Sequence, residues 1–418
     1  MGTVYVLLDG VGDLPHPDLG GMTPLEAAGT PNLDRIASNG SSGEVISVGE
    51  GIAPESDIAV FNMLGYRFKG SGYAGRGVIE AMGIGMDFRD GDLALRGNFA
   101  TITDGVITDR RAGRTIERVD AEGIAREVEE GARFSIPGTE VSVRPTIGHR
   151  VTVRIRAPEP LSHEITNTDP AYGSVGGMGV AREAGGPMRV GRCEAASGAG
   201  SAAARLVNEF SDCAIRVMEK SAINARREAG GKKRLGCILL RDAGSRMPDV
   251  EPMSSRYGRE FACVVDMPVE VGIARATGMR MVRAGGLEDY EEKARGAVSA
   301  LREAGAVYVH LKGPDEFGHD GDARGKAANI EEIDGRFFGE LVRIMGPGTS
   351  VVVSADHATP CSKKAHSDGP VPLVVSGDGV RRDGTSRMTE RQAAAGGIGR
   401  IAGADVLETA FGLISGSG

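Results

Sequence analysis

The stretch VYVLLDG, residues 4–10, decides the fold class, because five apolar residues typical of a buried strand lead directly to a carboxylate. Two later apolar runs, 306–311 and 350–353, are likewise followed within a few residues by an aspartate. In an open parallel α/β sheet, ligands bind in the crevice outside the carboxyl ends of the strands. The sequence therefore predicts an α/β fold that brings together three carboxylates from distant parts of the chain: Asp9, Asp315 and Asp356.

Helix signals alternate with these runs. Thr30 and Pro31 mark the start of one helix, Ser56 heads a second, and residues 329–344 are predicted to form a later one. From about 70 to 187 the pattern changes to short β-branched runs broken by Gly and Pro, which is typical of an α+β unit with antiparallel strands. Because candidate site residues precede and follow this segment, we expect it to be inserted into the first domain.

Composition narrows the class of protein. A chain of 418 residues exceeds the size at which one hydrophobic core keeps growing, so two domains are expected. The net charge of −8 gives no overall attraction to nucleic acid or anionic lipid, and no apolar run approaches the roughly 18 residues of a membrane helix. Five scattered cysteines without a CxxC pair argue against a disulfide framework or zinc knuckle. We expect a cytoplasmic protein without a nucleic-acid or membrane partner.

The residue types near the strand ends indicate a metal site. The three aspartates can combine with three imidazoles and one hydroxyl, namely His319, His357, His366 and Ser56. This is enough for two divalent cations, and mixed nitrogen and oxygen donors without thiolate suit Mn²⁺ or Zn²⁺. A serine at a helix N-terminus can accept a phosphoryl group when a cation activates it.

Each of these signals also has a simpler interpretation. An aspartate at a strand end is commonly a turn residue, and Ser56 by itself is commonly a helix cap. The spacing of Asp315 and His319 fits one helix face, but the neighbouring glycines fit a loop equally well. The remaining histidines have no comparable neighbouring aspartate and are left out of the predicted site: His16, His149, His163 and His310.

The motifs resemble those of the archaeal-type 2,3-bisphosphoglycerate-independent phosphoglycerate mutases, in the alkaline phosphatase superfamily. The resemblance rests on LLDGVGD (7–13), APESDIAVFNMLGY (53–66), GRGVIEAMG (75–83), RGNFAT (96–101), DRRAGR (109–114), TDP (168–170), GPDEFGHDGD (313–322) and SADHATP (354–360). It spans most of the chain. It implies an alkaline-phosphatase-like core with a mainly parallel sheet flanked by helices, comprising residues 1–72 and 250–418, interrupted by an α+β phosphotransferase domain at 73–249.

The resemblance also implies how the site works. One cation would be held by Asp9, Ser56, Asp356 and His357, and the other by Asp315, His319 and His366. Ser56 would form a phosphoserine intermediate in the interconversion of 3-phosphoglycerate and 2-phosphoglycerate, a step of glycolysis and gluconeogenesis. Mn²⁺ is the expected cation, with Zn²⁺, Co²⁺ or Mg²⁺ as alternatives, and 2,3-bisphosphoglycerate is not required.

The resemblance further implies that substrate contacts come mainly from arginines of the inserted domain, whose guanidinium groups suit carboxylate and phosphate. The candidates are Arg110, Arg111, Arg114, Arg241 and Lys326, with Asp109 and Asp169 as candidate proton carriers. Two segments depart from the family pattern, Ser221-Ala222-Ile223-Asn224 and Arg283-Ala284-Gly285-Gly286-Leu287. Neither departure removes a predicted metal ligand.

Three other functions remain open at this point. A metal-dependent phosphatase or a phosphomutase of another small phosphate ester would use the same metal residues, but the clustered arginines favour a small acidic substrate. A sulfatase is disfavoured because Ser56 is followed by Asp57-Ile58-Ala59-Val60 rather than by the C/S-x-P-x-R pattern. A non-catalytic metal-binding protein is disfavoured because the nucleophile and all predicted ligands are present. The expected partner is a small phosphoglycerate, and a homo-oligomer is possible.

Overall fold

The structure is a computed structural model that describes residues 2–68, 73, 75–175, 178–181 and 186–416. Its strands are β1 (Gly2–Leu8), β2 (Gly40–Ile46), β3 (Leu93–Thr103), β4 (Val106–Asp109), β5 (Glu140–Pro145), β6 (Arg150–Arg156), β7 (Tyr172–Val175), β8 (Met178–Ala181), β9 (Cys237–Gly244), β10 (Phe261–Val264), β11 (Arg280–Met281), β12 (Ala306–Leu311), β13 (Thr349–Ser354), β14 (Val371–Ser376) and β15 (Gly399–Ala402). Its α-helices are α1 (Pro24–Ala27), α2 (Pro31–Ser38), α3 (Ser56–Met63), α4 (Arg76–Gly83), α5 (Arg118–Gly131), α6 (Ser201–Lys220), α7 (Ala222–Ala229), α8 (Met253–Tyr257), α9 (Pro268–Ala276), α10 (Tyr290–Ala300), α11 (Pro314–Asp320), α12 (Ala323–Ile333), α13 (Gly339–Ile344), α14 (Glu390–Ala394) and α15 (Val406–Ile414).

The chain divides into two compact units. The first comprises Met1–Arg67 and Val250–Gly418, and the second comprises Phe68–Asp249. Within the first unit, the two segments that flank the second unit are tied together, because the Tyr66 hydroxyl donates a hydrogen bond to the Glu251 carbonyl at 2.6 Å. No helix in the described part of the chain combines the length and the apolar character needed to cross a membrane.

The first unit is built on an eight-stranded sheet in the order β11-β10-β12-β1-β13-β14-β2-β15. The first five strands in this order, from β11 through β10, β12 and β1 to β13, are parallel to one another. Strand β14 is antiparallel to its two neighbours, β13 and β2. The predicted α/β class with a mainly parallel sheet is therefore confirmed. The apolar runs of the sequence form β1, β12 and β13, which are almost completely buried at the centre of the sheet.

The register of these central strands positions the site. β1 lies between β12 and β13, with Leu8 opposite Leu311 and Leu7 opposite Ser354. Since parallel strands end on the same side of a sheet, the segments that follow these three strands leave its same edge. The backbone N–H of Asp9 still donates to the Leu311 carbonyl at 2.9 Å, so the aspartate is fixed by the last rung of the sheet.

The second unit contains a five-stranded antiparallel sheet, as predicted for the middle of the chain. β3 pairs with β4, β6 and β9, and β5 pairs with β6. Alternate residues of the strands point to opposite faces. One face is apolar and packs with residues of α5 and α6 in a buried core that includes Leu95, Phe99, Val153, Ile124 and Phe210. Helix α4 packs against the other face through Val78 and Ala94.

The predicted helix from 329 to 344 is confirmed as part of a continuous helical run, 323–344, in which the α-helical hydrogen-bond pattern is interrupted by a π-helical segment at Asp334–Phe338. The buried carboxylate of Asp334 accepts hydrogen bonds from the backbone N–H groups of Asn32 and Leu33, at 3.2 and 2.7 Å. These are otherwise unsatisfied donors of the first turn of α2. The interruption therefore coincides with a contact that fixes a distant helix.

Candidate active site

Asp356 is held rigidly at the end of the segment that follows β13. Its Oδ1 accepts hydrogen bonds from the backbone N–H groups of Gly10 and His357, both at 3.0 Å. Burial opposes ionisation, but the neighbouring His357, His310 and Lys312 outweigh it and hold the pKa of Asp356 well below its usual range. The carboxylate is therefore negatively charged and has one oxygen committed to the backbone.

Two further carboxylate oxygens, one from Asp356 and one from Asp9, indicate a site for a cation. Among the described residues, Asp356 Oδ2 and Asp9 Oδ1 are buried atoms with no hydrogen-bond partner. His357 Nε2 lies 3.2 Å from the first of these oxygens and 3.7 Å from the second. Buried charges need a partner, and a divalent cation among these oxygen and nitrogen atoms would supply one.

Gly10 allows the loops to approach each other this closely. Its φ is +60°, a conformation that residues with a side chain rarely adopt. A Cβ atom at this position would lie 2.6 Å from Thr359 Oγ1 and 2.7 Å from Asp315 Oδ1. The glycine directly after Asp9 is therefore required by both backbone geometry and space.

Ser56 occupies the first position of α3, one residue inside the helix, and Glu55 is the N-cap. The prediction of Ser56 at or near the cap is thus confirmed to within one residue, and no side chain caps this helix in the described structure. The Ser56 Oγ lies 3.1 Å from His357 Nε2. The hydroxyl therefore faces the candidate metal ligands rather than the helix backbone.

Thr359 joins the two groups of candidate ligands, and sequence reasoning did not identify it. Its hydroxyl donates to Asp315 Oδ1 at 2.6 Å, and its oxygen lies 3.1 Å from His357 Nδ1. Since the hydroxyl has only one hydrogen, it accepts from Nδ1–H of His357. This arrangement leaves Nε2 as the nitrogen with a lone pair, directed at Ser56 and the carboxylates.

The second group consists of Asp315, His319 and His366, whose ligand atoms lie within 4.8 Å of one another. His319 Nε2 is 3.6 Å from Asp315 Oδ2, and His366 Nε2 is 3.5 Å from Asp315 Oδ1. Both rings direct Nδ1 at a backbone carbonyl, of Lys364 at 3.1 Å and of Pro54 at 2.7 Å. Such hydrogen bonds fix metal-binding imidazoles in the orientation that frees the other nitrogen.

The helix interpretation of the Asp315 and His319 spacing is confirmed, because α11 contains both. Burial alone would lower the pKa of His366, but the adjacent Asp315 carboxylate raises it to about 9. The rings of His357 and His366 stack with centroids 3.8 Å apart, so the two groups of ligands are contiguous. The first unit thus brings together all seven residues predicted as metal ligands.

Three further charged or polar residues lie beside this site and were not predicted. The Lys312 ammonium is 2.9 Å from Asp9 Oδ2 and 2.6 Å from Glu270 Oε1, and His310 Nδ1 is 3.2 Å from the same glutamate oxygen. Burial opposes the charge on Lys312, yet Asp9, Glu270 and Asp356 raise its pKa. His310 was left out of the predicted site for want of a comparable neighbouring aspartate in the sequence, but in the structure its ring lies beside Glu270, Asp9 and Asp356. The signal available was a polar residue within the otherwise apolar run of β12.

In the second unit, Asp169 organises two of the predicted arginines. Its completely buried carboxylate accepts hydrogen bonds through Oδ2 from Arg110 at 2.5 Å and from Arg241 at 2.7 Å. Both guanidinium groups lie over the ring of Tyr172, with distances to the centroid of 5.2 and 4.3 Å. The Asp169 carboxylate and the face of the Tyr172 ring therefore hold the two positively charged guanidinium groups near each other.

The segment DRRAGR forms a tight turn around Asp109. The two oxygens of Asp109 accept the N–H groups of Arg111 and Gly113 at 2.8 and 3.0 Å, and Lys233 Nζ is 2.6 Å away. Burial opposes ionisation, but these donors lower the pKa of Asp109. Ala112, Gly113 and Arg114 all have positive φ, of 43°, 74° and 55°. Such strain in non-glycine residues concentrates at functional sites.

Other arginines lie near Arg241 in the second unit and were not predicted as site residues. Arg96 lies 3.3 Å from Glu80 and 3.9 Å from Asp242, and burial together with the charges of Arg76 and Arg241 lowers its pKa to about 10. Burial, followed by the charges of four nearby arginines, lowers the pKa of His149 to about 3; these are Arg150, Arg111, Arg96 and Arg241. The four arginines therefore lie close enough to His149 to oppose a positive charge on its ring.

Lys326 occupies a different environment from the one expected of a phosphate contact. It is completely buried, and its ammonium lies 2.8 Å from Asp13 Oδ2 and 2.9 and 3.2 Å from the carbonyls of Thr359 and Gly12. These contacts use its three donors. They tie the loop after β1 to the loop after β13, and so support the positions of the metal residues indirectly.

Comparisons with known proteins show which family the chain resembles in sequence and in fold. Residues 37–224 match the family model of 2,3-bisphosphoglycerate-independent phosphoglycerate mutases. A mutase of that name from Aeropyrum pernix is 39% identical over 417 residues, which cover 96% of this chain and 97% of the relative. The solved structure of a Pyrococcus horikoshii protein has a TM-score of 0.80 at 30% identity, covering 100% of this chain and 98% of the other. A cofactor-independent phosphoglycerate mutase from Thermoplasma acidophilum has a TM-score of 0.65 at 29% identity, with 100% of both chains covered.

Proposed function

Because the chain belongs to the 2,3-bisphosphoglycerate-independent phosphoglycerate mutases, we propose that it interconverts 3-phosphoglycerate and 2-phosphoglycerate through a phosphoserine at Ser56. The observation that carries the proposal is the position of the Ser56 hydroxyl, 3.1 Å from His357 Nε2 at the junction of two groups of carboxylate and imidazole ligands. A nucleophilic hydroxyl beside two cation sites is the arrangement that phosphoryl transfer requires.

The proposed cation sites follow the two ligand groups. Asp9, Ser56, Asp356 and His357 would hold one divalent cation, and Asp315, His319 and His366 the other. Mixed oxygen and nitrogen donors suit Mn²⁺, with Zn²⁺, Co²⁺ and Mg²⁺ as alternatives. When bound, the cations would offset the negative charge of the transferring phosphoryl group.

The second unit supplies the argument for a mutase rather than a phosphatase. Residues 73–249 are proposed to be the substrate-binding phosphotransferase domain, and residues 1–72 with 250–418 the metal-binding core. Arg110, Arg111, Arg114 and Arg241 are proposed to bind the substrate, whose carboxylate and phosphate are the groups that guanidinium recognises. A glycerate held by its carboxylate stays available for the return of the phosphoryl group.

The proposed reaction has two symmetrical halves. In the first, the Ser56 hydroxyl loses its proton and Oγ bonds to phosphorus as the bond from phosphorus to O3 of the glycerate breaks, and O3 takes up a proton. After the glycerate reorients, O2 loses its proton and bonds to phosphorus as the bond to Ser56 Oγ breaks, and Oγ takes up a proton. Asp109 and Asp169 remain the proposed proton carriers, and the lowered pKa of Asp109 keeps it in the ionised form, which is the form that can receive a proton.

The test is direct. Metal-stripped protein is incubated with 3-phosphoglycerate with and without Mn²⁺, and 2-phosphoglycerate and inorganic phosphate are both quantified. The proposal expects Mn²⁺-dependent 2-phosphoglycerate, and acid quenching should trap phosphate on the peptide that contains Ser56. Inorganic phosphate as the sole product would identify a phosphatase, whereas the absence of both products would identify a non-catalytic metal-binding protein.

Replacing the nucleophile tests the intermediate. Ser56→Ala should lower mutase activity by more than about a thousandfold, as expected when a covalent nucleophile is removed, and should leave no labelled peptide. Ser38→Ala, at the exposed end of α2, is the matched control and should behave like the parent protein. Full mutase activity in Ser56→Ala would eliminate the phosphoserine pathway.

A further inference from the structure

We propose that His310 is an additional ligand of the cation held by Asp9 and Asp356. The sequence resemblance assigns this histidine no role, and it lies inside a strand rather than in a loop after one. The proposal rests on the metal site described above, but it does not depend on which phosphate ester the protein acts on.

The distances around His310 Nε2 fit a shared cation. This nitrogen lies 4.0 Å from Asp9 Oδ1 and 3.7 Å from Asp356 Oδ2, and the three residues form one of the groups whose ligand atoms are mutually within 4.8 Å. Bonds of about 2.0–2.2 Å to a shared cation separate its ligand atoms by roughly 3–4 Å. The spacing is therefore close to that of a coordination shell, with space for an ion between the atoms.

Burial provides an independent observation. His310 is completely buried, and within the described part of the chain Nε2 and the two facing carboxylate oxygens are buried atoms without a hydrogen-bond partner. Leaving a buried polar group unsatisfied costs about 1–3 kcal/mol. The cation already proposed for Asp9 and Asp356 would satisfy the two carboxylate oxygens, but Nε2 would be satisfied only if His310 also binds that cation.

The opposite side of the ring faces a carboxylate. Glu270 Oε1 is 3.2 Å from His310 Nδ1, an ionic contact without hydrogen-bond geometry. The other oxygen of Glu270 accepts the N–H groups of Asp266 and Met267, both at 3.2 Å, which anchors the glutamate in the first turn of α9. A negative charge beside Nδ1 favours a proton on that nitrogen and leaves Nε2 able to bind a metal.

Lys312 accounts for the different surroundings of the two carboxylate oxygens of Asp9. Its ammonium lies against Asp9 Oδ2 and Glu270 Oε1, at 2.9 and 2.6 Å. The positive charge of Lys312 therefore offsets the negative charge at Asp9 Oδ2. This leaves Asp9 Oδ1 directed at the imidazoles of His310 and His357. His357 and His310 both lie within 4.0 Å of Asp9 Oδ1 and Asp356 Oδ2.

The experiment measures Mn²⁺ binding to metal-stripped protein by the EPR signal of free Mn²⁺. His310→Asn removes Nε2 but keeps an amide N–H near the position of Nδ1, so the contact with Glu270 is retained. It should weaken one of the two Mn²⁺ sites at least tenfold and leave the other unchanged. His310→Gln, whose amide reaches towards the position of Nε2, should recover part of the lost affinity.

A matched variant and a measurement on the unmodified protein complete the test. His163→Asn alters a histidine of the second unit that contacts Ser245 Oγ at 2.9 Å, and should leave both affinities unchanged. In wild-type protein labelled with ¹⁵N-histidine, pulsed EPR should count four histidine nitrogens coordinated to Mn²⁺, those of His310, His319, His357 and His366. Unchanged affinities in His310→Asn, or only three coordinated histidine nitrogens in the wild type, would overturn the proposal even if the protein is an active mutase.

Discussion

The hydroxyl of Thr359 is a single group on which both sets of ligands depend. It donates to Asp315 and accepts from His357, so it fixes the position of the first and the tautomer of the second. Outer hydrogen bonds of this kind change metal affinity or activity by about 10–100-fold when removed. We therefore expect Thr359→Val to weaken Mn²⁺ binding and mutase activity by a factor in that range.

Conservative replacements separate this effect from a packing defect. Thr359→Ser keeps the hydroxyl and should retain most of the affinity. Thr277→Val removes a buried hydroxyl whose hydrogen bonds within the described structure are to carbonyls of the preceding helix α9, of Ile273 and Ala274 at 2.7 and 3.4 Å. Equal Mn²⁺ affinities of Thr359→Val and Thr277→Val, measured by titration, would contradict the linking role of Thr359.

For single residues, the sequence identifies candidate metal ligands more readily than the neighbouring side chains that hold those ligands in position. Asp9 and Asp356 stand out because they follow apolar runs. Glu270 begins a helix far along the chain from Asp9, and only the packing of α9 against the sheet brings its carboxylate beside Lys312. His310 was missed for a related reason, since its polar side chain lies within a run that otherwise indicates buried core.

Among the elements, the contact of β9 with the segment that precedes β7 depends on one carboxylate. Asp169 is completely buried and pairs with Arg241, which is 3% exposed. Removing one partner of a buried ion pair leaves an uncompensated charge and costs on the order of 3 kcal/mol. Asp169→Asn should lower the free energy of unfolding by about this amount and raise the KM for 3-phosphoglycerate, as measured by urea denaturation and steady-state kinetics.

An exposed pair in the same unit is the control. Arg192 and Asp212 are 2.8 Å apart, with side chains 63% and 46% exposed. Surface pairs contribute little, so Asp212→Asn should change the free energy of unfolding by no more than about 0.5 kcal/mol. A similar loss of stability in both variants would show that Asp169 has no special role.

The contact between α14 and the loop after β1 predicts a pH dependence. Glu390 Oε1 accepts the N–H of Asp13 at 3.1 Å and Oε2 accepts the Thr23 hydroxyl at 2.7 Å. Burial outweighs these hydrogen bonds and raises the pKa of Glu390 from 4.5 to about 7. Between these values the unfolded chain has lost the proton and the folded protein keeps it, so stability falls as pH rises.

The slope from one such group is at most about 1.4 kcal/mol per pH unit. Glu390→Gln removes the titration, so the wild type should lose stability relative to this variant as pH rises from 4.5 to about 7. The measurement is the free energy of unfolding at several pH values. Glu50→Gln, at an exposed position, should follow the wild type, and parallel profiles of wild type and Glu390→Gln would refute the prediction.

The elements themselves were largely predictable, with one informative exception. β1, β12 and β13 follow directly from apolar runs, and α3 from the segment that starts at Ser56. The π-helical segment between α12 and α13 was not predicted, because its contact is with a distant part of the chain. Its partner is the first turn of α2, about 300 residues earlier in the chain.

For the whole molecule, metal binding should stabilise the two units unequally. A ligand that binds only the folded state at 100 times its Kd stabilises that state by about 2.7 kcal/mol. The proposed ligands all belong to the first unit. Saturation with Mn²⁺ should therefore slow hydrogen exchange at the amides of Gly10 and His357, which donate to Asp356, by up to about 100-fold.

The amides of β6, in the second unit, provide the internal reference for this experiment. Their exchange should be unchanged by Mn²⁺ alone, because no proposed metal ligand lies between residues 68 and 249. Mass spectrometry of the metal-free and Mn²⁺-loaded protein measures both regions in one sample. Uniform slowing in both units would mean that metal binding acts on the chain as a whole.

The hydrogen bond from Tyr66 to the carbonyl of Glu251 also bears on how such a chain could arise. It keeps the two points where the chain leaves and re-enters the first unit side by side. All strands of the first unit's sheet lie outside the excursion from 68 to 249. A single recombination event at this junction could therefore add, exchange or delete the entire second unit without reordering one strand of the ancestral sheet.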